Sequence, residues 1–204
     1  AEVEHYIESV RRQIRTFAHD PTVVAATRSL RPAFEWFPSG SQKRASDAVR
    51  RYYESSFATR FAEKNGGASI DVDALLDRLG PVSMALQDRY IASNPHPAGA
   101  KHELVDPEDG TPYGRTHRDL HPMLRGIQEE YDYYDIFIVD EETGSILYSV
   151  FKEVDFATSL VDGPFAETGL ARAFAAANRL PAGEVALTDF DPYLPSYDDP
   201  AAFV

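Results

Sequence analysis

The feature that most constrains this chain is a change of period. Up to about residue 130 apolar side chains recur every three or four positions, whereas residues 134–140 and 145–151 are short β-branched and aromatic runs separated by Glu141-Glu142-Thr143-Gly144. The first spacing is that of amphipathic helices; the second, with a Thr-Gly turn between its halves, is that of an antiparallel hairpin. Helices followed by strands place the chain in the α+β class, with a helical region over 1–112 and a sheet-bearing module over 113–204.

Within the helical region, Val3, Tyr6, Ile7, Val10, Ile14 and Phe17 form one apolar stripe, with Glu4, Glu8, Arg11, Arg12 and Arg15 between them, which predicts a long first helix ending near His19. Asp20-Pro21 then supplies a capping side chain and the residue best suited to a first helical position, so a second helix starts there. Pro32 is expected to kink or end it, and Phe34, Trp36 and Phe37 to form an aromatic cluster before a Pro38-Ser39-Gly40 turn. A third helix is expected over 41–65, carrying Ala45, Val49, Tyr52, Tyr53, Phe57 and Phe61 on one face and stopped by Gly66-Gly67. Shorter helices are expected after Asp71 and from Pro81. Residues 94–112, with four prolines and two glycines, predict a long irregular loop. A helical stretch interrupted at Pro122 should lead into the hairpin. A helix introduced by Gly163-Pro164 and running to Asn178, and a strand over 184–190, should follow it.

Charge narrows the function. Against 20 Lys and Arg stand 33 Asp and Glu, a formal net charge of -13, which removes the basic footprint that nucleic acid or anionic lipid requires. The absence of cysteine excludes disulfides and thiolate chemistry. No apolar run approaches the roughly 20 residues of a membrane span. The chain opens at Ala1 without Met and stops on Ala201-Ala202-Phe203-Val204, from which we expect an excised piece of a longer protein.

Tyr133-Tyr134-Asp135-Ile136-Phe137-Ile138-Val139-Asp140 with Thr143-Gly144-Ser145-Ile146-Leu147-Tyr148-Ser149-Val150 resembles the opening hairpin of the periplasmic Cache domains of chemotaxis transducers, sensor histidine kinases and membrane cyclases. The continuation from Lys152 to Leu160, then Gly163-Pro164-Phe165, Leu170 to Phe174, and Asp189-Phe190-Asp191-Pro192-Tyr193, is similar to one subgroup of them, and Ile14 to Val24 resembles the helices that precede such modules. The resemblance implies a PAS-like antiparallel sheet. It also implies a periplasmic or extracellular sensor in an inner-membrane receptor that binds a small polar organic ligand, pairs as a homodimer and meets the membrane through flanking segments. It implies no cofactor and no turnover. Two departures qualify it: the family's sheet ordinarily continues for two more strands and a helix beyond the point where this chain stops. The Arg-x-Trp-Tyr series of amino-acid-binding relatives is also absent, the one tryptophan being Trp36.

Side chains suited to a small-ligand site cluster in the module: Tyr148, Lys152, Asp155, Phe156, Phe165, Arg172, Asp189, Asp191 and Tyr193. Tyrosines offer a face and a hydroxyl, Asp189 and Asp191 suit a cationic amine, and Arg172 or Lys152 a carboxylate. The same residues also suit plain packing of a helix on the sheet, with Asp191-Pro192 a turn. His117 and His121, four apart, have zinc spacing, yet a third ligand would have to come from His96 or His102, so packing histidines and no bound metal are expected. Asp106 with Glu108-Asp109, or Asp198-Asp199, suit acid and base roles in a secreted hydrolase, the competing class; no nucleophile elbow or phosphate loop accompanies them.

Overall fold

The computed structural model describes residues 2–38 and 42–204. The expected Pro38-Ser39-Gly40 turn and the first residue of the third helix lie outside the described residues, as does the side chain of Val3. The opening helix, α1 (Glu2–Ala18), ends where its spacing predicts. Asp20 then caps α2 (Pro21–Glu35), its carboxylate accepting from the N–H groups of Thr22 at 2.8 Å and Val23 at 3.2 Å. Pro32 does not end α2. It falls in the last turn, where its missing N–H costs one bond, and burial of Ala33, Phe34 and Phe37 holds the turn in place. Trp36 leaves the expected aromatic cluster: it is 83% exposed, because it follows the last helical residue and faces away from Phe34 and Phe37.

The third helical stretch runs unbroken to Gly66-Gly67 but in three pieces: α3 (Gln42–Tyr52), a π-helical turn over Tyr53–Phe57, and α4 (Ala58–Lys64). The wider turn brings both Tyr53 and Phe57 into the core. Asp71 caps α5 (Val72–Leu76) through the N–H of Ala74, and Pro81 opens α6 (Pro81–Gln87), which widens into a second π turn over Asp88–Ala92. The loop over 94–111 holds one short 3-10 turn, Lys101–Glu103. Its closing residue Thr111 caps α7 (Pro112–Glu130). This helix also passes through its proline, Pro122, without interruption, since buried His117, Leu120, His121 and Leu124 pin it on both sides of the proline.

The expected hairpin is present: β1 (Phe137–Val139) pairs antiparallel with β2 (Ile146–Ser149), in register Phe137 to Ser149, with an irregularity after Ile138. Its turn needs Gly144, whose φ is +69° and whose added Cβ would meet Val161 Cγ2 at 2.7 Å. The helix expected from Gly163-Pro164 begins later. Thr168, extended and accepting from the N–H of Ala171, caps α8 (Gly169–Ala177). The strand expected over 184–190 does not form. Only Thr188 of that run exchanges hydrogen bonds with Phe203, and the ladder forms instead between β3 (Asp191–Tyr193) and β4 (Asp199–Ala201). In place of one antiparallel sheet, the described residues hold two separate two-stranded ones. The architecture is α+β.

The packing crosses residue 112. Leu30, Phe34, Leu86, Tyr90 and Ile91 of the helical region share one buried cluster with Tyr113, Leu120, Leu147, Tyr148, Val150 and Phe156 of the module. A second cluster joins Val49, Tyr53, Phe57 and Phe61 to Val154, Phe165 and Tyr197. Both floors of the turn that follows β2 are therefore supplied by helices.

Candidate functional site

After Ser149 the chain reverses in a tight buried turn, and its geometry is set by one carboxylate. Asp135 Oδ1 accepts from the N–H groups of Ile136 at 2.7 Å, Val150 at 2.8 Å and Phe151 at 3.1 Å, which ends the β1–β2 ladder and gathers the loose donors of both strands. Lys152 then takes a left-handed conformation, φ +58°, an arrangement that a long side chain adopts only when its surroundings hold it there. Gln87 supplies part of that hold. Buried in α6, its amide donates to the carbonyls of Val154 and Phe156, both at 2.8 Å, while Tyr53 Oη donates to Gln87 Oε1 at 3.0 Å.

This turn takes Lys152 and Asp155 out of water and leaves Asp135 and Glu153 half-buried beside them. Lys152 is 2% exposed; its Nζ donates to the Ser149 carbonyl and lies over the ring of Tyr148 at 4.2 Å, with Phe156 at 5.3 Å and Tyr90 at 6.0 Å. Burial lowers its ammonium to about 7 against the opposing pull of Asp135. Asp155 is fully buried, and Tyr193 Oη donates to its Oδ2; desolvation pushes the carboxyl up to about 6. Burial first and the Asp155 charge second push Asp135 well above the ordinary carboxylate range. Glu153 is pushed up to about 7 by desolvation and then by Asp155. It accepts from Tyr134 Oη at 2.8 Å and Ser196 Oγ at 2.7 Å.

Two oxygens in this group have no donor in full hydrogen-bond geometry, Asp135 Oδ2 and Asp155 Oδ1, although the N–H groups of Asp155 and Phe156 lie close enough to the Asp155 carboxyl to favour its charged form. An unmet buried acceptor costs about 1–3 kcal/mol, so each is a place where a donor brought from outside gains affinity.

Beside the turn stand the two histidines of α7, stacked with ring centroids 4.6 Å apart. His121 Nε2 donates to the His102 carbonyl at 2.6 Å, which leaves Nδ1 as the acceptor for Tyr148 Oη, also at 2.6 Å. His117 Nδ1 donates to the Val105 carbonyl at 2.9 Å, and its Nε2 has no partner. Desolvation and the Lys152 charge keep both rings neutral, His121 lowered to about 3 and His117 lowered well below the usual range. Among the described residues no group of three or more His, Asp or Glu is placed to hold a metal ion.

Of the residues suggested by sequence, the fold brings Tyr148, Lys152, Asp155, Phe156 and Tyr193 to this turn. Phe165 packs elsewhere, against Val154, Phe57 and Tyr197. Arg172 and Asp191 form an ion pair with each other, both half exposed. Asp189 is exposed and accepts from the N–H of Phe190 at 2.8 Å, as a turn residue does. Of the acids considered for hydrolysis, Asp106 and Asp109 accept from loop N–H groups, Asp106 also faces Arg118 at 3.5 Å, and Asp199 pairs with Lys64.

The cluster also contains residues that sequence reasoning did not select. Asp135 carried a signal, being an acid inside the apolar and aromatic run expected as a strand. So did Gln87, a polar residue at the end of α6 among the buried Leu86, Tyr90 and Ile91, the last two in the π turn that follows. A surface cleft of about 240 Å³ lies nearby between α2, α6 and the hairpin, lined by Arg31, Phe34, Val82, Asp140 and Leu147. Its buried carboxylate is fully met, since Asp140 accepts from Glu142, Thr143 and Arg31.

Comparison with protein families, curated proteins and solved structures finds no match to this chain.

Proposed function

We propose that this chain is the extracytoplasmic ligand-sensing part of a transmembrane receptor, a Cache-type module seated on its helices. It binds a small polar organic molecule, without turnover, at the turn formed by Lys152, Glu153 and Asp155. The observation that carries this reading is the pair of carboxylate oxygens without a donor, Asp135 Oδ2 and Asp155 Oδ1, at the turn that also buries Lys152. Buried polar atoms are ordinarily bonded, so an acceptor without a donor offers a place for a donor carried by a ligand.

The placement of the turn supports a sensing role. It is held from the helical region by Gln87 and Tyr53 and from the C-terminal hairpin by Tyr193 and Ser196, so a ligand that shifts it biases how the two pack. The route continues to the first helix, where Phe17 packs edge-on against Tyr131 at 5.9 Å and Gln13 accepts from Tyr133 Oη, directly ahead of β1. Membrane segments would lie outside this chain: among the described residues no helix is long and apolar enough to cross a bilayer. A second copy would pack along α1 to form a homodimer, on the side where Tyr6 is exposed, since Val10 and Phe17 already pack within the chain.

A thermal-shift screen with amines, organic acids, purines and sugars tests this reading. A ligand bound only by the folded chain raises the unfolding temperature, and Asp155→Asn should abolish that rise. Should every stabilising compound act equally on the wild type and Asp155→Asn, this turn is not the sensing site.

A further inference from the structure

A hollow lies at the seam between the helical region and the module. It is the cleft of about 240 Å³ between α2, α6 and the β1–β2 hairpin, the room of on the order of eight water molecules at roughly 30 Å³ each. Its floor is apolar, formed by Phe34 and Leu147 from the buried cluster and by half-buried Val82. Its rim is polar. Arg31 reaches from α2 to the hairpin turn, where Nε faces Asp140 Oδ2 at 3.1 Å and Nη2 donates to Glu142; Nε also donates to Glu35 Oε1, one helical turn on, at 3.5 Å. Asp140 Oδ1 is filled by the N–H groups of Glu142 and Thr143 and by the Thr143 hydroxyl. Two groups of the rim have no protein partner among the described residues: Arg31 Nη1, a donor, and Glu35 Oε2, an acceptor, on side chains 37% and 53% exposed. The geometry points to a second binding site, separate from the turn at Lys152: this cleft takes a small neutral ring that carries a carbonyl beside an N–H, as a pyrimidine base does. The ring lies on Phe34, Val82 and Leu147, its carbonyl accepts from Arg31 Nη1, and its N–H donates to Glu35 Oε2.

Three properties of the cleft select this class. Its spare donor and acceptor belong to residues four apart on α2, neighbours on one helix face, so a ligand that meets both must offer an acceptor and a donor side by side. Charge at the rim disfavours ions of either sign. A carboxylate would join Glu35, Asp140 and Glu142 around one guanidinium, while an ammonium would stand against Arg31 and find Asp140 already filled. The floor disfavours a polyol, because hydroxyls laid on Phe34, Val82 and Leu147 give up water and gain no partner. A ring seated here touches α2 and α6 on one side and β2 on the other, so its binding favours the packing in which the helical region and the module close on it.

The test is titration calorimetry of the full chain at neutral pH with uracil, benzoate and phenethylammonium. Uracil should bind, and Val82→Phe, which fills the floor from a half-buried position, should remove that binding. Glu35→Ala deletes the acceptor from an exposed helix position and should weaken uracil roughly tenfold, the loss of one hydrogen bond to a charged group. The same variant should leave unchanged the weaker binding of fully N-methylated uracil, which keeps its carbonyls and has no N–H to give, a pairing of variant and ligand that no folding defect mimics. Asp155→Asn should not alter uracil binding, so the cleft and the turn at Lys152 stand or fall separately. Benzoate or phenethylammonium binding that Val82→Phe removes would overturn the neutral class. Binding by none of the three, or uracil binding indifferent to Val82→Phe or to Glu35→Ala, would overturn the assignment of the cleft.

Discussion

Asp155 and Asp191 invite comparison. Both are carboxylates of the module, both are bonded through Oδ2 to one side chain, Tyr193 for the first and Arg172 for the second, and both belong to β3 or its contacts, Asp191 opening the strand and Asp155 meeting Tyr193 at its end. Asp155 is fully buried with its other oxygen unmet, while Asp191 is half exposed with water available to both. Desolvation, not the partner, separates them: it drives the first carboxyl up to about 6 against the opposing bond from Tyr193. A charge pair at the surface is a weak determinant of structure, whereas a buried acid with a spare acceptor demands an explanation.

If the buried turn is part of the core as well as a site, the largest effect belongs to its aromatic wall. Phe156→Ala should lower unfolding free energy by about 3–5 kcal/mol in urea titration, the range for deleting a fully buried aromatic ring. A loss below about 1 kcal/mol would mean that the turn packs loosely.

Asp155→Asn sharpens the comparison through pH. The folded-state value near 6 lies above that of an unfolded aspartate, so the folded chain binds the proton more tightly, and ionisation lowers stability as pH rises from about 4 to about 7. Asparagine carries no such cost, so the variant should gain on the wild type across that window by about 3 kcal/mol, read from urea midpoints at each pH. A difference independent of pH would place Asp155 in a wet environment like that of Asp191.

Gln87→Leu removes the helical hold on the turn. Without its amide the Phe156 carbonyl loses its side-chain donor, and a loss of about 2 kcal/mol is expected. Hydrogen exchange should show faster opening at residues 152–157, where an unchanged rate would detach the turn from α6.

The smallest effect should come from the surface pair. Arg172→Ala should change stability by about 0.5 kcal/mol or less and fade further in high salt, because the ion pair is half exposed and screened. A loss above about 1 kcal/mol, resistant to salt, would make the pair a buried-type interaction and erase the contrast with Asp155.

Local chemistry was legible from the residues themselves. Asp20-Pro21, Asp71, Pro81 and Gly66-Gly67 mark their helix boundaries, and the Thr-Gly turn marks the β1–β2 hairpin, because capping and turn geometry depend on a few consecutive residues. Where packing competes with a local signal, the local signal loses: Pro32 and Pro122 lie inside helices that continue past them between buried neighbours. The run over 184–190 has strand-like alternation but finds no ladder, since pairing needs a partner edge and β3 takes β4. The site divides in the same way. Residue type alone grouped Tyr148, Lys152, Asp155, Phe156 and Tyr193 with Phe165, Arg172, Asp189 and Asp191. Only the tertiary structure separated them, because burial is decided by which side of a strand or turn the helices cover. It also added Asp135 and Gln87 to the site, the first acting on Val150 and Phe151 and the second on Val154 and Phe156, donors and carbonyls far from either in the chain.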